Sequence, residues 1–396
     1  MNRIFSVSNI YLALWCLFNV TFATSNMVSR PLFVVIAAIT AYYIVFNYKD
    51  YKRNLYMSGL VLLLVMFFAY GVELILSGKV YYIEFVNKKV DNPVYLITVF
   101  KSLCPIIPFY ILTKKGYISE KTISIWVPIF LLTTGVTYAL TYEMMLMESM
   151  TGRTDFVNNQ GYMFASIIPL IFFVQRKTWV KYLYVAIIMA FVFMSMKRGA
   201  IIIGALCLLY YLRNQLKLSQ GSQKPFVVIS VLLFLGIGFV FLSRYFANNS
   251  FFASRVLDTL EGNTSHRDEI YGFFWEYYMN NASFIQQLFG CGANYTLSIG
   301  ENYAHNDWLE LLINNGLLGV ICYFIYWIRA YKQYDATAEL VVKYALCCAL
   351  IFAFLKSFIS MSYGDIGSYL ALCIGYCVAR NDMFKQNLIN ENKLSI

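Results

Sequence analysis

Charge is scarce in this chain. Only 13% of its 396 residues are Asp, Glu, Lys or Arg, against about 25% in a typical soluble domain, so a water-soluble fold of this length has too little polar surface to cover its core. Histidine is scarcer still. The two present, His266 and His305, leave little for a catalytic zinc, and no H-E-x-x-H spacing occurs. The absence of a G-x-x-x-x-G-K-[ST] loop argues against direct ATP use, and the absence of a G-x-S-x-G elbow removes that kind of hydrolase nucleophile. Neither an internal repeat nor a Pro-rich linker divides the sequence, so residues 1–396 are expected to form a single membrane domain.

Apolar sequence is what the chain has in quantity: 60% of residues, in long blocks. A helix needs roughly 20 apolar residues to cross the hydrocarbon core, and the run Leu55–Leu76 supplies them. Lipid offers no hydrogen-bond partners, so every crossing must satisfy its own backbone as a helix or within a closed barrel. The blocks are continuous and do not alternate, which selects helices. They predict about twelve crossings, at 8–24, 30–47, 55–76, 93–113, 122–142, 161–175, 179–195, 199–212, 225–242, 306–328, 339–356 and 364–380. The expected fold class is therefore all-α, a polytopic integral membrane protein with about twelve transmembrane helices, of which the sixth to eighth are short for a full crossing. Most of the nine cysteines, such as Cys104 and Cys207, fall inside apolar segments and read as small hydrophobic side chains. Cys373 and Cys377 sit one turn apart with no His or carboxylate beside them, so no metal is expected there. Arg3 followed by the apolar stretch Ile10–Ala23 reads as an uncleaved first helix, since no convincing small-x-small cleavage site follows it and further membrane segments come immediately.

The formal net charge is +10, yet the cations form no single basic face, and nucleic acid is not an expected partner. Their distribution instead follows the positive-inside rule. With the N-terminus inside, the cytoplasmic loops carry Lys49, Lys52 and Arg53; Lys114, Lys115 and Lys121; Arg176, Lys177 and Lys181; Arg213, Lys217 and Lys224; then Arg329 and Lys332. Both termini are then cytoplasmic. The one long hydrophilic segment, 243–305, becomes a periplasmic loop, within which Asp268–Met279 reads as an amphipathic helix at the membrane surface.

Both histidines lie in that loop, and His305 stands at the head of a membrane helix in the sequence Ala304-His305-Asn306-Asp307-Trp308. Histidine is the usual proton acceptor at neutral pH; the plainer reading is a hydrogen-bonded surface residue, with Asn306 or Asp307 capping the helix. Lys197 and Arg198 break the charge pattern, because the topology puts them on the outer side. Either they snorkel to lipid headgroups, or Arg198 presents its rigid fork of donors to a phosphate, helped by the dipole of the helix behind it. Arg267 offers a second fork beside His266, and Arg244 and Arg255 are further candidates for the anion or else contacts to anionic lipid. Lys101 and Glu73 lie inside predicted crossings, where a charge usually pairs or lines a polar cavity. Lys356, near an outer helix end, is expected to snorkel.

Between Ser195 and Tyr323 the chain resembles the O-antigen polymerase and ligase superfamily. The residues that carry the likeness are Ser195-Met196-Lys197-Arg198-Gly199-Ala200 at a helix head, Arg267 followed by Trp275, the turn Gly290-Cys291-Gly292, and His305, Asn306, Trp308 and Leu309 with Gly316 and Gly319. The spacing from Arg267 to Trp275 is stretched, and Lys197 is added beside Arg198. The resemblance implies an inverting, metal-independent membrane glycosyltransferase without a cofactor, whose donor is an undecaprenyl-pyrophosphate-linked oligosaccharide. It assigns pyrophosphate binding to Arg198 and Arg267 and activation of the acceptor hydroxyl to His305. Lys197, Asn306, Arg244, Arg255 and Lys101 are substrate-binding candidates beside these. Membrane lipid and a chain-length regulator protein are the implied partners, and the implied location is the bacterial inner membrane with the site facing the periplasm. The expected activity is polymerisation of the O-antigen, the growing chain passing onto the next lipid-linked repeat unit. The alternative is the ligase, which passes the glycan to lipid A-core. A flippase or transporter of similar size is the rival from another class, and it would show paired broken helices or repeated halves.

Overall fold

A computed structural model describes residues 6–24, 26–83, 88–150, 158–219, 267–300, 302–363 and 367–394, with isolated positions between 224 and 257. The helices in the first half are α1 (Val7–Thr24), α2 (Asn26–Phe46), α3 (Tyr48–Tyr51), α4 (Leu55–Ser77), α5 (Pro93–Leu103), α6 (Ile106–Lys114), α7 (Glu120–Met150), α8 (Gln160–Ala165), α9 (Thr178–Met194) and α10 (Arg198–Leu218). The second half contributes α11 (Arg267–Glu276), α12 (Phe284–Phe289), α13 (Thr296–Ile299), α14 (Asp307–Asp335), α15 (Leu340–Ile359) and α16 (Ser368–Leu394). The strands described are β1 (Tyr81–Ile83) and β2 (Lys88–Val90), an antiparallel pair that sets Tyr81 opposite Val90 and Ile83 opposite Lys88.

The all-α, polytopic class holds. Among the described residues seven helices are long and apolar enough to cross a membrane, and three shorter apolar ones cover Val7–Phe22, Gln160–Phe173 and Thr178–Met194. The first eight predicted crossings coincide in turn with α1, α2, α4, α5 with α6, α7, α8 with the 3-10 turn Ile168–Phe173, α9 and α10. The last three coincide with α14, α15 and the front of α16, and the crossing at 225–242 lies largely outside the described residues. The fourth is broken because Pro105, between α5 and α6, has no N–H to continue the ladder. The eighth, read as short, is a full 21 residues.

The chain divides into two compact units, residues 1–38, 115–264 and 340–352 in the first and 39–114, 265–339 and 353–396 in the second. In the first, α1 packs on α7 through its aromatic face, with Trp15 edge-on to both Tyr11 and Phe18. Trp126 Nε1 donates to Asn9 Oδ1 at 3.0 Å, and Phe164 of α8 stacks on Phe191 of α9 with centroids 4.4 Å apart.

The second unit is built on two close helix pairs, α4 with α14 and α6 with α16. Tyr56 and Tyr326 share a hydrogen bond of 2.7 Å. A Cβ on Gly375 would stand 2.7 Å from the Ile106 carbonyl, so only glycine permits that approach of α16 to α6. Asn54 caps α4 by accepting from the Met57 N–H at 2.9 Å, and Gly78 closes it in the left-handed conformation.

Candidate active site

The first unit holds Lys197 and Arg198. After α9 the chain turns through Ser195, takes a left-handed step at Met196 (φ 54°), and enters α10 with Lys197 as the cap residue and Arg198 as the first helical residue. A non-glycine residue there costs on the order of 1–3 kcal/mol, and the surroundings hold it in place. The Ser195 carbonyl accepts from Asn158 N–H at 2.8 Å, and Tyr138 donates to the Met194 carbonyl at 2.9 Å. Gly161 leaves room for the buried Ser195, whose Oγ would be 2.2 Å from any Cβ at 161. The turn therefore presents two half-buried cations at the start of a helix whose first turn contains no acidic residue.

The second unit holds Arg267, His305 and Asn306. The chain repeats the left-handed step at His305 (φ 54°) before α14. Asn306 then caps that helix, its Oδ1 accepting from Trp308 N–H at 2.9 Å and Leu309 N–H at 3.2 Å, while its Nδ2 donates to the Phe358 carbonyl at 3.3 Å. Tyr271, one turn into α11, donates to the same carbonyl at 3.1 Å and lies 3.4 Å from the His305 carbonyl. Burial pushes its phenol above the ordinary range, against the pull of the Arg267 guanidinium and of Asn306. Arg267 Nη1 donates to the Ile359 carbonyl. The Arg267 and Asn306 side chains thus reach the last carbonyls of α15, and Tyr271 links the Phe358 carbonyl to the backbone carbonyl of His305.

Behind this cluster α14 carries carboxylates that no sequence signal identified as a pair. Asp307 is fully buried and accepts from Tyr323 Oη at 2.6 Å, Ser362 N–H at 2.8 Å and Tyr363 N–H at 3.2 Å. Lys356, expected to snorkel, is instead 2% exposed, and its charge acts on Asp307. The carboxylate buried with that lysine offsets part of the cost of its burial. Glu310, likewise fully buried, accepts from Thr296 Oγ1 at 2.6 Å, Ala304 N–H at 2.8 Å and Asn314 Nδ2 at 2.8 Å. It ties the segment before His305 to the helix after it.

The helix α14 is itself broken at Gly316 (φ 65°, ψ −162°). The carbonyls exposed just before the break take new donors: Ile313 accepts from Cys291 N–H at 2.9 Å and Asn314 from Gly292 N–H at 3.0 Å. A Cβ on Gly290 would lie 2.3 Å from the Asn314 carbonyl, and one on Gly316 2.4 Å from Gly290 N. The turn Gly290-Cys291-Gly292 is thus a backbone clasp on the broken helix. The expected amphipathic helix at Asp268–Met279 is present as α11, which continues into a wider π turn over Tyr277–Asn281.

Residues 183–324, from within α9 to within α14, match the family model described as O-antigen ligase. The match supports the resemblance to the O-antigen polymerase and ligase superfamily over this segment. No curated protein matches the chain. The matched segment includes Lys197, Arg198, Arg267, His305 and Asn306, as well as the glycine clasp. Arg244 also falls inside it and is exposed, whereas Arg255 and His266 lie outside the described residues. Lys101, half-buried in α5, lies outside the matched segment, as does Glu73, which is exposed to its surroundings on the membrane-length helix α4.

Proposed function

We propose that this multi-pass membrane protein transfers a glycan from an undecaprenyl-pyrophosphate carrier to a hydroxyl of its acceptor, by inversion and without a metal ion. The observation that carries the reading is the content of the matched segment: a guanidinium at a helix head, and a second guanidinium gathered with the histidine into one hydrogen-bonded cluster. In the first unit, Arg198, with Lys197 beside it, is the phosphate ligand. In the second unit, Arg267 is a phosphate ligand and His305 is the base. Arg267 has five N–H donors and spends one on the Ile359 carbonyl.

The chemistry needs nothing more activated than the donor itself. His305 takes the proton of the acceptor hydroxyl as its oxygen bonds to the anomeric carbon. The bond from that carbon to the pyrophosphate breaks, and the negative charge that develops on the leaving lipid pyrophosphate is stabilised by fixed guanidinium donors. The segment at the end of α15, held by Tyr271 and Asn306, keeps the base and Arg267 in register.

The first reading is a polymerase in the bacterial inner membrane, with both termini cytoplasmic, the site facing the periplasm, and a chain-length regulator as partner. The second is a ligase onto lipid A-core, with which the family match is equally compatible. Deleting the gene and comparing surface polysaccharide with extracted lipid-linked intermediates tests both. The polymerase predicts core capped with a single repeat unit; bare core with long chains stranded on the carrier establishes the ligase. Bare core with single units left on the inner leaflet establishes a flippase, and an unchanged ladder overturns the transfer reading altogether.

A further inference from the structure

The second unit contains a polar cavity of about 390 Å³ far along the sequence from the residues discussed so far, within the range of roughly 300–1,000 Å³ typical of small-ligand sites. Its walls carry Lys49, Lys52, Arg53 and Lys114 against the carboxylates of Asp50 and Asp382. Asp382 is already engaged: Asn54 Nδ2 donates to its two oxygens at 2.9 and 3.0 Å, and Tyr110 Oη donates to Oδ2 at 2.6 Å. The cations are not. Among the described residues none of the four makes an ion pair. Lys52 lies over the Tyr48 ring, and Lys114 lies over the Tyr110 ring while donating to the Asp50 carbonyl at 3.0 Å.

The position of the cavity defines the anion. Lys49, Lys52 and Arg53 lie in the short link between two membrane-spanning helices, α2 and α4, and Lys114 ends the span formed by α5 and α6. Helix ends of this kind sit at headgroup depth. Beside them Val45, Phe46 and Leu55 are exposed apolar side chains, Phe46 to 75%, on the helices flanking the cavity. A molecule carrying a phosphodiester at the cations and hydrocarbon along these side chains satisfies both surfaces at once. A free phosphate satisfies only the first.

We infer that this cavity is a binding site for the phosphodiester headgroup of an anionic glycerophospholipid. Basic pockets at the cytoplasmic ends of membrane helices attract such lipids with a contribution from each lysine or arginine. The inference does not rest on the transfer reaction and stands or fails separately from it.

The test uses the purified full chain in a neutral detergent, with bound lipid read by native mass spectrometry. Dioctanoyl phosphatidylglycerol, dioctanoyl phosphatidylcholine and inorganic phosphate are the three probes. The expected result is phosphatidylglycerol bound at least about tenfold more tightly than phosphatidylcholine, weakening by about fivefold for each charge removed in Lys52→Gln, Arg53→Gln and Lys114→Gln combined. Should that triple variant fail to fold, the pair Lys49→Gln and Lys52→Gln replaces it, since neither side chain hydrogen-bonds among the described residues. Equal retention of the two lipids, or an unchanged preference in the variants, overturns the site. Displacement of phosphatidylglycerol by inorganic phosphate at equal concentration assigns the cavity to a soluble phosphate and overturns the lipid.

Discussion

The heads of α10 and α14 share a backbone plan and differ in how they are finished. Each follows a non-glycine residue in the left-handed region, Met196 before one and His305 before the other. At α14 the finishing groups all come from the protein: Asn306 accepts the first free N–H groups, Asp307 and Glu310 stand in the first turn, and both carboxylates are buried and fully hydrogen-bonded. These negative groups complement the positive end of the helix dipole. At α10 the cap residue is Lys197, whose side chain has no acceptor atom, and the first turn opens with Arg198 and contains no acid. Positive charge is thus placed on the positive end of a dipole. One head is complete as a structural joint, while the other has the electrostatics of a place for an anion. Under the proposed function, the first is a structural joint that also carries His305, and the second is where Arg198 meets the donor's phosphate.

The sharpest way to break it is to mutate both heads and measure activity and folding separately. Arg198→Ala should abolish transfer while insertion and thermal unfolding stay as in the parent, and Arg198→Lys should recover little, because a point charge replaces a planar fork. His305→Ala should lose about 10²- to 10⁴-fold in rate, whereas His266→Ala should lose little. Full activity in Arg198→Ala, or equal tolerance at both histidines, removes those roles. Next in size is Asp307→Ala, which removes the buried acceptor of the Tyr323 hydroxyl and of the Ser362 and Tyr363 N–H groups and should cost about 3–5 kcal/mol of stability, read as a lowered unfolding midpoint in detergent. A normal midpoint there would mean that the α14 head is not the structural joint described.

A smaller effect is expected at the cap. Asn306→Ala should lose about 1 kcal/mol, and Asn306→Asp should restore much of it, since either side chain accepts from the Trp308 and Leu309 N–H groups. The smallest prediction concerns the clasp. Burial pushes the Cys291 thiol above its usual range, partly offset by the charge of Lys79. A raised thiol pKa means less thiolate at any given pH, so alkylation of Cys291 at pH 8 should run slower than that of a free thiol and accelerate at higher pH than the free thiol does. Labelling followed by peptide mass spectrometry measures this, and a rate equal to that of glutathione would show an open, water-filled turn instead.

Much of the fold was legible because crossing a membrane is a local requirement. Blocks such as Leu55–Leu76 announce themselves by length and apolarity, and the observed helices fall on them. Arg198 and His305 were legible for a related reason: one sits where the charge pattern disfavours a cation, and the other is one of only two histidines. Lys356 was misread because its exposure depends on Asp307, a residue of a different helix. Tyr271 offered no signal among the 33 tyrosines of the chain, since its role comes from the carbonyls it reaches near the end of α15. The break in α14 was equally hidden. A glycine in a helical run reads as a packing residue, and only the approach of Gly290 to Asn314 and Gly316 shows that it opens the helix.

The sequence by itself determined that this chain is a bundle of membrane helices, where most of them lie, and which few polar residues are out of place among them. Those properties follow from transfer of single segments into lipid, a cost each segment bears alone. Tertiary structure decided which polar groups finish one another: the carboxylates that hold the α14 head, the clasp that breaks that helix, and the carbonyls that gather Arg267, Tyr271 and Asn306. A buried charge or an orphaned carbonyl must find its partner through space, and in this chain those partners stand on other helices or in distant turns.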